Sequence, residues 1–136
     1  MTASPADDRL ARLRHEIGLR TYADRFLDDG EEREVLAIAA RMGLPDAATH
    51  IAAICRADGT AREADVRNEI AALIARESGK LDEAGFDRVA AALDGPLGDR
   101  DRQRMIAAVI DRTGHPIRRG WFSNWYAKRK RTLGMA

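Results

Sequence analysis

The side chains best equipped for chemistry lie in residues 115–136, where six bases and no acids accompany Trp121, Phe122, Trp125 and Tyr126. Guanidinium and ammonium groups at Arg118, Arg119, Lys128, Arg129, Lys130 and Arg131 can neutralise an anionic partner. Beside them, an exposed Trp121, Trp125 or Tyr126 can stack on a nucleobase or rest at a lipid interface. Three partners fit this combination: nucleic acid, an anionic membrane surface, or an acidic groove on another protein. On a helix from about 117 to 131, however, Ile117, Trp121 and Trp125 form one stripe, with Phe122 and Tyr126 beside it. That stripe predicts a last helix docked by its aromatics, with its bases left in water. Burial of Trp121 and Trp125 is therefore the deciding question.

A second set of chemistry-bearing residues is acidic. Asp28, Asp29, Glu31 and Glu32, with Asp58 and Glu63 further on, could offer oxygen ligands to a hard cation such as calcium. Their spacing does not follow the alternating EF-hand loop. Carboxylates at a turn and a helix start are also favoured by the helix dipole, and Thr60 with Glu63 has capping-box spacing. His15, His50 and His115 are dispersed, and neither they nor Cys55 form close zinc-ligand pairs. Cys55 sits beside Ile54 in an alanine-rich stretch, as a packed thiol does. None of the three serines lies in a nucleophile elbow, and no glycine loop suits a phosphate. No enzyme activity and no cofactor are expected.

The elements that must position these residues read as helices. Strand patterning is almost absent, so the expected fold is all-α: a single-domain bundle of about six to eight short helices. Ser4-Pro5 opens a first helix to about 17, with Gly18 as its stop. A short helix at 20–28 precedes the Asp-Gly break, and a third covers 31–42. A fourth runs from Pro45-Asp46 to Gly59, and a fifth from Thr60 to Gly79 places Val66, Ile70, Leu73 and Ile74 inward. A sixth covers 82–93 and a seventh 99–112. Val66–Leu93 approaches helix-turn-helix spacing. Gly85 would interrupt its second helix, and Asp82, Glu83 and Asp87 would face phosphates, so a helical hairpin fits better.

Charge divides the chain. Residues 1–114 carry 17 Lys+Arg against 22 Asp+Glu, whereas the whole chain is +1. An acidic bundle over 1–114 and a basic aromatic segment over 115–136, or one domain ending in that segment, both fit. The sequence beginning Met1-Thr2-Ala3-Ser4-Pro5 lacks a signal peptide's features, no apolar run approaches membrane-spanning length, and a single cysteine precludes an internal disulfide. A bacterial, cytoplasmic protein is expected.

Two stretches look alike: Arg25-Phe26-Leu27-Asp28-Asp29-Gly30 before an acidic helix start, and Ile54-Cys55-Arg56-Ala57-Asp58-Gly59 before Thr60-Ala61-Arg62-Glu63. Over roughly residues 22–93 this resembles the tellurite-resistance TerB-like helical family. The resemblance implies a helical bundle that binds a divalent cation in stress or defence assemblies. It leaves the basic segment unexplained, and Glu31 and Glu32 follow Gly30 without the family's usual spacer. The leading expectation from the residues is a non-enzymatic adaptor whose body binds a protein and whose C-terminal segment engages an anionic partner.

Overall fold

The computed structural model describes residues 4–120 and 124–135. It is all-α, with seven helices and one two-residue parallel strand pair among the described residues. The chain forms two compact units, Met1–Ala64 and Asp65–Ala136. The division thus falls well before residue 114, and the basic segment belongs to the second unit.

In the first unit α1 (Pro5–Thr21) starts where Ser4 Oγ accepts from Asp7 N–H and proline occupies the first turn. Gly18 does not stop it, because nothing there requires a left-handed turn and the helix continues to Thr21. The separate helix expected over 20–28 is not formed. Instead Arg25 takes φ 54°, a left-handed value that turns the chain into β1 (Phe26–Leu27). Asp28 then caps α2 (Asp29–Arg41) in a reciprocal capping box with Glu31. The next helix, α3 (Ala47–Asp58), ends at Gly59 with φ 70°, where glycine avoids the Cβ clash of the left-handed region. Asp46 flanks its start without a side-chain cap.

Chain reversal after α3 brings β2 (Ala61–Arg62) parallel to β1, in the register Phe26 to Ala61 and Leu27 to Arg62. The two look-alike segments are therefore spatial neighbours. Ala61 and Arg62 are extended in this pairing, and α4 (Glu63–Arg76) begins at Glu63, later than the start expected at Thr60. Leu13, Ile17, Leu27, Val35, Ala39, Ile51 and Cys55 form the core of this unit. Each large aliphatic member contributes about 1.5–3 kcal/mol by leaving water.

The second unit repeats the plan. Val66, Ile70 and Ile74 on α4 are buried, and after that helix Leu81 forms a parallel bridge with Ile117. Asp82 accepts from Gly85 N–H and caps α5 (Glu83–Ala92). Then α6 (Asp99–Thr113) ends at Gly114, φ 69°. In both units the residue after that glycine returns its N–H to a carbonyl of the helix just ended, Thr60 to Cys55 and His115 to Ile110. Leu27 and Leu81, Asp28 and Asp82, Val35 and Val89 correspond at one offset. A single extra residue before α6 then aligns Ile51 with Ile106, Cys55 with Ile110, and Gly59 with Gly114. Most of these residues are buried or left-handed, the roles least tolerant of change.

The helix expected from 117 to 131 is much shorter. Ile117 is extended in the bridge, and α7 (Trp125–Thr132) starts at Asn124, whose side chain accepts from Ala127 N–H. Trp121 lies outside the described residues, so the stripe is not traceable through it.

Candidate functional site

The C-terminal candidates separate into a packed set and an outward set. Trp125 and Tyr126 are 6% and 9% exposed, so neither is a platform for stacking. Trp125 meets Phe86 edge to face, with ring centroids 5.8 Å apart, and its Nε1–H donates to Arg118 O at 2.8 Å. The Tyr126 hydroxyl donates within reach of Ala107 O (3.0 Å) and Asp111 Oδ1 (2.8 Å). Burial, then the contact with Asp111, raises the Tyr126 pKa above its ordinary value.

Two of the bases are also internally engaged. Arg129 Nη1 donates to Asp87 Oδ1 (2.9 Å) and Gln103 Oε1 (3.1 Å), with its guanidinium 5.1 Å from the Phe86 ring centre. Lys130 Nζ lies 3.3 Å from Asp111 Oδ2 and 4.9 Å from the Tyr126 ring centre. Together with Arg100 donating to Thr132 O, these contacts lay α7 antiparallel along α6. Lys128 and Arg131, three apart, are exposed on the opposite side of α7.

Arg118 and Arg119 occupy a different place. They line an open cleft of about 350 Å³ with Asp82, Glu83, Ala84, Gly120 and Trp125. The Arg118 backbone is fixed by its N–H donating to Leu81 O, while its side chain is exposed. Mixed charge marks this cleft. Asp82 Oδ1 serves the Gly85 N–H, and Glu83 Oε1 lies 4.0 Å from Arg129.

The acidic candidates are drawn into structural duties. Asp28 and Glu31 cap α2, and Glu31 is held above the usual carboxylate range, first by burial. Glu32 pairs with Arg62 at 2.7 Å across the start of α2 and β2. Arg14 binds Asp58 through two nitrogens and holds that carboxyl below its ordinary range. Glu63 Oε2 accepts the Asp29 N–H at 2.6 Å, satisfying a helix-start donor that has no partner within its own helix. Among the described residues, no group of three or more His, Cys, Asp or Glu is arranged to hold a metal ion. Cys55 is buried in the core, as its apolar neighbours suggested.

Sequence reasoning missed the importance of Asp82, Glu83 and the α5 start, because it sought the repeat between residues 25 and 66. The signal available was Leu27-Asp28-Asp29 against Leu81-Asp82-Glu83, each with valine seven residues after the capping aspartate. His115, which the sequence offers only as one of three dispersed histidines, has a buried Nε2 with no hydrogen-bonding partner among the described residues.

The class defined by this architecture is an all-α protein built from two helical repeats, each closed by a short parallel backbone pairing. Comparison of the chain with protein-family models, curated proteins and solved structures found no match in any of the three.

Proposed function

We propose that the protein is a non-enzymatic interaction module whose C-terminal unit engages an acidic surface on a protein partner, in a cytoplasmic setting. One observation carries the reading: Lys128 and Arg131 project from the outer side of α7 while their neighbours Arg129 and Lys130 are paired with internal carboxylates. Exposed Arg118 and Arg119 extend the available cationic surface. A protein is favoured over nucleic acid because Trp125 and Tyr126 are packed inside, where they cannot stack on bases. Membrane insertion gains nothing from buried aromatics either, and no helix of the described residues is long and apolar enough to cross a bilayer.

Titration of the full-length protein with a glutamate-rich peptide, single-stranded DNA and phosphatidylserine vesicles tests this reading. The peptide is expected to bind most tightly at equal salt, and Lys128→Gln with Arg131→Gln to weaken it by about tenfold, as for two lost charge contacts of roughly 0.7 kcal/mol each. Tighter binding of DNA or vesicles would replace the reading with the corresponding alternative. Binding of none of the three would end it.

A further inference from the structure

The two repeats differ at the start of their second helix. In the first unit, the N–H of Asp29, first residue of α2, donates to the carboxylate of Glu63, which follows Arg62 of β2. In the second unit Glu83 stands in the place of Asp29, Ile117 in that of Arg62, and Arg118 in that of Glu63. No side chain among the described residues accepts from Glu83 N–H. What faces the start of α5 is the cleft lined by Arg118 and Arg119. One repeat thus carries its own carboxylate at this point, and the other substitutes a guanidinium beside an open cleft.

We propose that the Arg118–Arg119 cleft binds a carboxylate of an acidic partner protein, in the position that the Glu63 side chain fills in the first repeat. The proposal rests on the interaction-module reading and names the group recognised. Two features favour a carboxylate. The Glu83 N–H is the counterpart of the Asp29 N–H, which donates to a carboxylate oxygen in the first repeat, and a guanidinium can bond a planar carboxylate through two nitrogens. The two native acids of the cleft are already directed elsewhere, Asp82 to Gly85 N–H and Glu83 toward Arg129.

The test uses ¹⁵N-labelled full-length protein and three short peptides. The first has glutamates and blocked ends, the second glutamines and a free C-terminal carboxylate, and the third glutamines and blocked ends. The first or second peptide is expected to shift the Glu83 and Ala84 amide signals, showing whether a side-chain or terminal carboxylate is preferred; the third is expected to leave them unmoved. Arg118→Gln should weaken binding about tenfold, the loss of one charge-assisted contact. Arg118→Glu should abolish it, and should shift the Glu83 amide without peptide as the new carboxylate imitates Glu63. A wild-type affinity in Arg118→Glu, or equal shifts with the third peptide, overturns the proposal. Peptide binding that is lost in Lys128→Gln/Arg131→Gln but never moves Glu83 overturns the cleft and leaves the module reading standing. A Glu83 shift indifferent to that double substitution overturns the α7 surface and leaves the cleft.

Discussion

The first repeat ties its α2 start to β2 with charge, and the second carries apolar residues at the corresponding positions. Glu32 and Arg62 form a largely buried ion pair, while the corresponding residues of the second repeat are Phe86 and Ile117. The exchange teaches that this plan constrains backbone geometry tightly and side-chain chemistry loosely: a capping aspartate, a left-handed glycine and a few buried aliphatics recur, whereas the polar contacts are free to change. Phe86 then supplies what an ion pair cannot, a surface on which Trp125 and the Arg129 guanidinium rest. That is how the second unit acquires α7 and, with it, the outward cations.

The largest way to break the comparison is to remove its apolar side. Phe86→Ala is expected to cost about 3–5 kcal/mol in denaturant unfolding, because a fully buried ring leaves a cavity under Trp125. A cost no greater than that of Arg62→Ala would show that the two contacts are energetically interchangeable.

Glycines give the next largest contrast. Gly85→Ala should destabilise by about 1–3 kcal/mol through overpacking against Leu81, despite alanine's better helix propensity. At Gly30, which corresponds to Ala84, the new Cβ would meet only Asp28 Oδ1 at 3.3 Å. Gly30→Ala should therefore be neutral or stabilising by up to about 1 kcal/mol. Equal thermal shifts for the two variants would remove the packing explanation.

The smallest effect sharpens the difference at α7. Tyr126→Phe should cost about 1–2 kcal/mol by removing the hydroxyl contacts to Ala107 and Asp111. Because burial raises the folded-state pKa of Tyr126, its contribution is fully present below the unfolded tyrosine value of about 10 and is lost as pH rises above it. Wild-type stability should fall more steeply than that of Tyr126→Phe above that pH. Parallel profiles would show that Tyr126 does not set the alkaline limit.

Much of the helical framework was legible without the tertiary structure. Six of the expected helices, those near α1 to α6, occupy nearly their expected spans because apolar periodicity, capping residues and left-handed glycines act within a few residues of one another. The errors share a cause. Gly18 looks like a stop but meets no demand for positive φ, and residues 20–28 have helix-forming character that β1 overrides by pairing with Ala61–Arg62, more than thirty residues away. The continuous 117–131 helix fails for the same reason, since Ile117 is taken by Leu81.

By itself the sequence determined the all-α class, most helix boundaries, the burial of Cys55 and the separation of a basic, aromatic end from an acidic body. Only the tertiary structure decided which charges are internally paired, that Trp125 and Tyr126 pack inward, and that the repeat joins residues 27 and 81 rather than 29 and 58. Helix caps and amphipathic faces are local, whereas ion pairs and backbone bridges depend on neighbours that are brought together only when the chain has folded.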